Sequence, residues 1–414
     1  MQSLSLEASQ TAQQSWAKTS IRERLQVVGR LRDRIAVCAE DLLSSFPVSL
    51  QRTRADSLTS EIIPLAEACR LMELQAERIL GLQRLSRKGR PVWLSGVHVE
   101  VRREPFGVVL LIGPSNYPLF LIGIQAVQAL VAGNAVIIKP GRDGGPVAGA
   151  FAVLANEAGL PAGLLTVLDE SVESGIAALQ RGVNKVVLTG SVESGRAVLR
   201  EAARHLIPAT VELSGLDAVF VQRGADLDRA ANAIAFGAKL NGGETCIAPR
   251  RIFVHDSIAE PLRARLGDVD IPITPVRDDH QALELAARSS YALGATVFGE
   301  EGAAHQFAAR INAGVVVVND MIVPTADPRV PFGGRGWSGF GTTRGAAGLL
   351  EMTTPKAVVI QRGRRLRHLE PMPGNAEEFF IAYLAASHTQ TLAARYKGWR
   401  RFIKAILSTR KVDS

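Results

Sequence analysis

The chain has 414 residues, of which 47% are hydrophobic and 21% charged, and this composition argues against a disordered protein. At about 150 residues per domain, the length predicts two or three domains. Three cysteines, Cys38, Cys69 and Cys246, are too few and too widely spaced for a disulfide framework. They indicate a reducing compartment, and a cytoplasmic location is expected.

The formal net charge of +8 is concentrated near the C-terminal end. Residues 362–414 hold 11 Lys and Arg against 4 Asp and Glu, a net of +7, so the rest of the chain is close to neutral at +1. No nucleic-acid-binding face across the protein is therefore expected. Residues 1–14 are polar and predict no signal peptide, and no apolar run reaches the ~18 residues of a membrane-spanning helix.

The first part of the chain predicts helices followed by a hairpin. After Ile21, apolar residues at positions 25, 28, 31, 35 and 36 follow the helical period, and a second helical run is expected over residues 57–84. Residues 92–103 then alternate with a period of two around Gly96. This alternation predicts a β-hairpin.

From residue 108 onward, short apolar strands alternate with helices. The first run, residues 108–112, is wholly apolar, which is typical of a strand buried on both faces of a sheet. Further strands are expected at 135–138, 165–168, 186–189 and 210–213, with helices at 119–132, 145–158 and up to Ala203. Such alternation predicts a parallel α/β sheet, whose ligands bind at the carboxyl ends of the strands.

The predicted strand ends carry small and polar residues. Gly113-Pro114-Ser115-Asn116 follows the first strand, and Lys139-Pro140 follows the second. The segment Gly190-Ser191-Val192-Glu193-Ser194-Gly195 opens a helix, where backbone N–H groups can bind a phosphate. Alone, this motif is weak, because a glycine at the start of a helix is usually only a turn.

Cys246 lies in the segment 241–251, between a helical run and an apolar strand. Gly242 and Gly243 permit the turn that would present a thiol there. The thiolate is the nucleophilic form, and polar or cationic surroundings favour it. Taken alone, however, a free cysteine is more often a small buried hydrophobic residue.

In chain order, these segments resemble the aldehyde dehydrogenase superfamily from residue 12 to residue 341. The resemblance rests on Pro105-Phe106-Gly107, Asn116, Lys139-Pro140, Thr189-Gly190-Ser191 with Gly195, Glu212-Leu213-Ser214-Gly215, the Cys246 segment, Pro331-Phe332-Gly333-Gly334, Ser338-Gly339 and Gly341. It implies an α/β fold with a parallel-sheet dinucleotide-binding domain (1–90 and 104–215) and a reduced α/β catalytic domain (216–352). Oligomerisation strands (91–103 and 353–362) imply a homodimer or homotetramer.

This resemblance implies oxidation of a small-molecule aldehyde to a carboxylic acid, with NAD or NADP as the cofactor. Cys246 would attack the carbonyl, Asn116 and the Cys246 N–H would hold the oxyanion, and Glu212 would activate water to hydrolyse the thioester. The implied cofactor-binding residues are Pro114, Lys139, Arg142, Gly190, Ser191, Gly195 and Leu213, and no metal site is implied. Taken singly, Asn116 could be a turn residue, Glu212 a solvated charge and Lys139 a surface lysine.

Two features depart from the family pattern. A long segment is missing after Leu266, with the Glu-x-Phe-Gly-Pro motif whose glutamate holds the nicotinamide-side ribose in the family. Arg142 stands where NAD-preferring relatives often have a glutamate, and a guanidinium there would attract the 2′-phosphate of NADP unless it points to solvent. An acyl-transferring or reductive relative, and a non-catalytic scaffold, are the alternative functions.

Residues 363–414 form a tail outside the resemblance. Residues 377–392 are expected to be helical, and a final helix is expected to be amphipathic. Its apolar residues are Trp399, Phe402, Ile403, Ile406 and Leu407, and its basic residues are Lys397, Arg400, Arg401 and Lys404. This pattern predicts peripheral contact with an anionic membrane surface. The alternative is a helix packed on the protein body or on a partner subunit.

Overall fold

The computed structural model describes residues 6–94, 96–363, 366, 369, 371–372 and 374–410. The backbone divides into two compact units. The first contains the residues up to 83 together with 100–358, and the second contains 84–99 and the residues from 359 onward.

Helices and strands alternate through most of the chain. The helices are α1 (Leu6–Trp16), α2 (Ile21–Val37), α3 (Ala39–Ser44), α4 (Arg54–Ser57), α5 (Ile63–Leu80), α6 (Phe120–Ala132), α7 (Gly145–Glu157), α8 (Val172–Gln180), α9 (Val192–Arg204), α10 (Leu227–Lys239), α11 (Ala259–Leu266), α12 (Asp279–Ala286), α13 (Glu301–Ala308), α14 (Gly345–Glu351), α15 (Ala376–His388) and α16 (Leu392–Arg410). The strands are β1 (Gln83–Arg84), β2 (Val97–Pro105), β3 (Val108–Ile112), β4 (Ala135–Lys139), β5 (Leu165–Val167), β6 (Lys185–Gly190), β7 (Ala209–Leu213), β8 (Asp217–Val221), β9 (Pro249–His255), β10 (Ile273–Val276), β11 (Tyr291–Ala292), β12 (Gly294–Phe298), β13 (Val315–Val318), β14 (Arg335–Gly336), β15 (Gly339–Phe340) and β16 (Thr353–Gln361).

The predicted helix after Ile21 is confirmed as α2. Ser20 caps it, accepting a hydrogen bond from the Glu23 N–H at 3.2 Å, while the Glu23 carboxylate accepts one from the Ser20 N–H at 2.7 Å. This reciprocal box satisfies two N–H groups that a helix start leaves unpaired. Leu31 and Ile35 are buried, as the helical period predicts, so this face of α2 joins the core.

The predicted parallel sheet is confirmed as a six-stranded sheet in the order β15-β7-β6-β3-β4-β5. The five longer strands run parallel, and β15 pairs antiparallel with β7. The apolar residues of β3 and β4 are buried, apart from the half-buried Ile112, because helices cover both faces of such a sheet. The chain proceeds from β3 to β4 and β5, then returns to place β6 on the other side of β3. This reversal opens a crevice at the carboxyl ends of β3 and β6, where such sheets bind ligands.

A second parallel sheet follows in the order β10-β9-β8-β12-β13. Phe220 of β8 stacks on Phe253 of β9 with ring centroids 5.5 Å apart, and it meets Phe307 edge-on at 5.1 Å. These rings fill one face of the sheet and bury apolar area. The turn that carries Cys246 connects α10 to β9, so it lies at an end of this second sheet.

The hairpin predicted at residues 92–103 is wrong. Only Val97–Pro105 is a strand, β2, and it belongs to a three-stranded sheet in the order β1-β2-β16. Val92–Leu94 is a single 3-10 turn, closed by a hydrogen bond of 3.0 Å from the Leu94 N–H to the Pro91 carbonyl. Proline favours such a turn start, and it outweighs the apparent alternation before Gly96.

The tail contains the two helices that the sequence predicts, but the first, α15, ends at His388 rather than near residue 392, where α16 begins. In the second unit, α15 and α16 pack together through Phe379 and Phe402, with ring centroids 4.8 Å apart. Trp399, Ile403 and Leu407 are 44%, 53% and 57% exposed, so the described residues leave one face of α16 uncovered. None of the helices in the described ranges is long and apolar enough to cross a membrane.

Candidate active site

The sequence-predicted site residues gather at the carboxyl ends of β3, β4, β6 and β7. Asn116 follows β3, Lys139 ends β4, Gly190 ends β6 and Glu212 lies in β7. The loops after β3 and β4 are in close contact. There is no room for a side chain at Gly141, since an added Cβ would come within 2.6 Å of the backbone nitrogen of Ser115. The sheet therefore brings together residues that are about a hundred positions apart in the chain.

The Cys246 turn is built by a tight change of backbone direction after α10. Asn241 and Gly242 have φ values of 56° and 62°, in the left-handed region that glycine and asparagine tolerate best. A Cβ added to Gly215 would lie 2.7 Å from the Cys246 carbonyl oxygen. The absence of a side chain at Gly215 therefore lets the Cys246 turn approach the segment after β7.

The Cys246 thiol is partly buried and is held in its protonated form. Burial raises its pKa to about 12, and the negative charges of Glu212 and Asp217 add to this shift. The positive charge of Arg344 opposes it. Burial therefore opposes ionisation of this thiol more than the single nearby cation promotes it.

Glu212 is a buried carboxyl group with one engaged oxygen and one free oxygen. Its Oε2 accepts a hydrogen bond of 2.6 Å from the Thr343 hydroxyl. Its Oε1 is buried, and no group in the described part of the chain bonds it. Burial raises the pKa of Glu212, whereas Arg344 and Thr343 lower it. Glu212 is thus not a solvated surface charge, and its free oxygen can accept a proton from a water or a thiol.

Arg344 is a buried cation beside this pair that the sequence reasoning missed. It is 6% exposed, and its guanidinium lies 4.1 Å from the Phe332 ring centroid and 5.1 Å from that of Phe120. Its Nη1 donates to the Thr325 carbonyl at 2.9 Å, and its Nε has no partner among the described residues. Its charge lowers the pKa of both Glu212 and Cys246. In the sequence, Arg344 stands among small polar residues and glycines, and nothing in that pattern indicates that its side chain is buried.

Asn116 is joined directly to the Cys246 turn. Its Nδ2 donates a hydrogen bond of 2.7 Å to the carbonyl of Glu244, two residues before Cys246. Its Oδ1 is buried and has no partner within the described ranges. The amide retains a second N–H, which an oxyanion formed at Cys246 could accept. Asn116 is therefore more than a turn residue.

The predicted cofactor residues divide into polar groups and packing groups. Lys139 is half-buried, and burial lowers its pKa, while the charges of Glu170 and Asp169 raise it. Ser191 caps α9 by accepting from the Ser194 N–H at 3.1 Å. Lys139 and Ser191 thus present polar groups at the ends of β4 and β6, the two strands that flank β3.

Gly195 and Leu213 pack against each other. A Cβ added to Gly195 would lie 2.7 Å from the Leu213 side chain, so glycine permits close contact between α9 and β7. Pro114 lies in the loop that touches Gly141, and Arg142 is exposed in the turn before α7. These residues shape the edge of the crevice and, apart from Arg142, offer it no charged side chain.

A cavity of about 370 Å³ opens beside the Asn116 loop and the Cys246 turn. One wall is polar and includes Arg52, Asp56 and Ser60, whereas the other includes Phe236 and Leu240 of the α10 end. This volume falls in the range of small-molecule sites. Tyr117 and Asn241 line this cavity, but Asn116, Glu212 and Cys246 do not, so it adjoins the reacting groups without containing them.

We expect the alkylation of Cys246 by iodoacetamide to rise with pH. Because burial raises the thiol pKa to about 12, the thiolate fraction should grow about tenfold for each pH unit below that value. Replacing Arg344 by methionine removes the cation that lowers this pKa, and the rate should fall further. Mass spectrometry of the Cys246 peptide measures both effects, with Cys246→Ala as the blank. A rate that is already constant from neutral pH upward would contradict the burial argument.

Comparison with known proteins places these observations in a family. The sequence profile of the Aldehyde dehydrogenase family matches residues 4–269 and 271–358. A 4,4'-diapolycopene aldehyde oxidase of Methylomonas sp is 27% identical in an alignment 423 positions long, gaps included. The alignment covers 84% of this chain and 79% of that protein. An NAD+ complex of an aldehyde dehydrogenase from Bacillus cereus has a TM-score of 0.80 at 23% identity, covering 86% of this chain and 88% of that one. An NADP-dependent enzyme of E. coli has a TM-score of 0.80 at 20% identity, covering 86% and 89%.

Proposed function

The chain belongs to the aldehyde dehydrogenase family, and from this premise we propose that it oxidises an aldehyde to a carboxylic acid with NAD or NADP. The observation that carries the proposal is the meeting of three groups: the Cys246 thiol, the buried carboxyl of Glu212 and the Asn116 amide. Nucleophile, proton acceptor and oxyanion donor are the parts that a thioester route requires.

The chemistry assigns one task to each group. The Cys246 sulfur bonds to the aldehyde carbon, and its proton leaves to a base or water. Asn116 and the Cys246 N–H stabilise the oxygen that becomes negative. A nicotinamide bound in the crevice would supply the acceptor for the hydride, and the carbon held by Cys246 would then be a thioester. Glu212 then takes a proton from water on its free Oε1, so that hydroxide replaces the sulfur and releases the acid.

The crevice at the ends of β3 and β6 fits a dinucleotide. A Cβ at Gly190 would meet no atom closer than 3.8 Å, which leaves room for a ligand near the backbone. The N–H groups at the start of α9 can bind a phosphate. Lys139 ends β4, the strand beside β3, and would contribute a positive charge there. We assign binding of the cofactor to these groups, with Pro114 and Arg142 at the edge.

We propose that the catalytic domain is shortened after Leu266. The family match is interrupted at residue 270, within this stretch. Strand β10 nevertheless pairs in parallel with β9, Ile273 beside Ile252, so the second sheet is continuous without the missing segment. A continuous sheet argues that the shorter domain folds and supports a site, in contrast to the scaffold alternative.

Turnover assays test the proposed function. The purified chain is mixed with NAD or NADP and with short-chain, long-chain and aromatic aldehydes, and the absorbance of the reduced nicotinamide is followed. We expect reduction with at least one class of aldehyde. Cofactor binding without reduction, even when coenzyme A is added, would contradict the proposal. Absence of binding would favour the scaffold alternative.

We expect Arg142 to favour NADP. A guanidinium at this exposed turn attracts a 2′-phosphate, whereas a carboxylate would repel it. Arg142→Glu should therefore lower affinity for NADP about tenfold and leave affinity for NAD nearly unchanged. Calorimetric titration with both cofactors measures the ratio, and Arg181→Glu, distant in sequence, serves as a charge-matched control. An unchanged ratio in Arg142→Glu would show that this side chain does not contact the phosphate.

We propose that the protein is a cytoplasmic homodimer or homotetramer. In the three-stranded sheet β1-β2-β16, β16 is an edge strand of nine residues. An edge of this length offers unpaired N–H and C=O groups to a second copy. Light scattering after gel filtration measures the state, and a monomer at micromolar concentration would contradict it.

We also propose that α16 contacts an anionic membrane surface. Trp399, Ile403 and Leu407 are exposed on one stripe of α16, and the basic residues Arg400 and Lys404 are exposed beside it. A chain that ends at Leu369 should lose salt-sensitive co-sedimentation with vesicles containing anionic lipid. If the full chain stays in the supernatant at low salt, the stripe instead covers another protein surface.

A further inference from the structure

Arg52 is a buried arginine outside the catalytic groups. Its side chain is 4% exposed, and its Nη1 lies 2.7 Å from the carboxylate of Glu61, which is 0% exposed. Glu61 also accepts hydrogen bonds from the N–H groups of Leu119 and Phe120, at 2.9 and 2.8 Å. A buried ion pair contributes little net stability, because desolvation offsets the attraction.

The geometry fixed by Arg52 includes the Asn116 loop. Its Nη2 donates a hydrogen bond to the backbone carbonyl of Asn116. Its Nε donates to the Asn241 side-chain oxygen at 2.5 Å. The Asn241 amide in turn donates to the Asn116 carbonyl at 3.1 Å. One guanidinium therefore closes a triangle between the loop of the oxyanion donor and the turn that leads to the nucleophile.

A second connection runs through Tyr117. The Arg52 guanidinium lies 4.7 Å from the Tyr117 ring centroid. The Tyr117 hydroxyl is hydrogen-bonded to the hydroxyl of Thr245 at 2.7 Å, and Thr245 directly precedes Cys246. Tyr117, which follows Asn116, thus contacts Arg52 directly. Thr245, which precedes Cys246, is connected to Arg52 through Tyr117. Its planar fork of five N–H donors suits this task, and a lysine cannot reproduce it.

We propose that Arg52 is a positioning residue that sets the distance between the Asn116 amide and the Cys246 sulfur. The inference rests on the proposed function. Arg52 touches no reacting atom; it acts through the Asn116 carbonyl, Asn241 and Tyr117. Oxyanion stabilisation depends on donor placement, and a shift of about 1 Å costs roughly a hundredfold in rate. Because the oxyanion exists only beyond the ground state, the loss falls on kcat more than on KM.

Two substitutions test this proposal. Arg52→Ala should lower kcat about a hundredfold with a small change in KM, and added guanidinium, far below denaturing concentrations, should restore part of the rate. Arg52→Lys keeps a cation for Glu61 and should fold with a melting temperature near that of the parent, yet kcat should still fall. Arg32→Ala is the matched control, since Arg32 forms a 2.6 Å ion pair with Glu73 that is partly exposed.

Hydrogen–deuterium exchange measures how firmly Arg52 holds the two segments, and it requires no turnover. Arg52→Lys should raise exchange in peptides covering 113–119 and 240–247, and Arg32→Ala should not. A parental kcat in folded Arg52→Lys, or unchanged exchange in both peptides, overturns the proposal. An inactive parent chain would overturn the proposed function instead, and the exchange measurement would still decide the role of Arg52.

Discussion

Cys246→Ala is expected to abolish aldehyde oxidation, with kcat falling on the order of 10⁴-fold or more. The sulfur forms the covalent bond to the carbon from which the hydride leaves, and no other group in the described site can replace it. Cys38 and Cys69 lie elsewhere, and Cys69 is fully buried in the core. The measurement is steady-state reduction of the cofactor with the best aldehyde.

Cofactor binding by Cys246→Ala distinguishes a variant that has lost its nucleophile from one that has failed to fold. Cys246→Ala should bind NAD or NADP as the parent does, because the alanine leaves the crevice between β3 and β6 unchanged. Cys38→Ala, which removes a partly exposed thiol on the end of α2, should keep full activity. Full steady activity in Cys246→Ala would end the thioester mechanism.

Glu212→Gln is expected to separate the two halves of the reaction. Glutamine has nearly the same shape and can still bond Thr343, but it cannot take a proton from water. The thioester should therefore form and then hydrolyse slowly, with steady turnover lowered by about 10²–10⁴-fold. Rapid mixing should show a burst of reduced cofactor that matches the concentration of sites.

The control for this burst is another carboxyl group. Glu157→Gln removes an exposed partner of Arg34 and should leave both phases as in the parent. If Glu212→Gln loses the burst together with steady turnover, Glu212 acts earlier, in removing the Cys246 proton. If turnover is unchanged, Glu212 has no part in hydrolysis.

Individual helices and strands could be predicted from the sequence, because each depends on the pattern of apolar residues within a short stretch of chain. The apolar runs at 108–112 and 135–138 became β3 and β4, since strands buried on both faces typically carry such runs. The alternation near Gly96 misled, because residues on either side of a proline-led turn imitate a hairpin. The family and its α/β fold followed from motif order and are confirmed.

The electrostatics of the site could not be predicted from the sequence. The pKa of Cys246 depends on how much water the surrounding loops exclude, and no residue pattern states this. Arg344 and Arg52 were missed for a related reason. Arginine is usually exposed, and both become visible as buried groups only when loops distant in sequence close over them. The roles of Cys246, Glu212 and Asn116 remain predictions until tested.

Intact-mass analysis of Glu212→Gln tests the central claim most directly. The variant is mixed with aldehyde and oxidised cofactor, and the reaction is quenched in acid. Mass spectrometry then measures the mass of the intact protein and identifies the modified peptide. A thioester on Cys246 should add the mass of the aldehyde less two hydrogens, whereas the thiohemiacetal before hydride transfer would add the full mass. We expect the lighter adduct on Cys246, dependent on cofactor and absent from a Cys246→Ala/Glu212→Gln double variant. An unmodified protein that still reduces the cofactor, or an adduct on another residue, would contradict it.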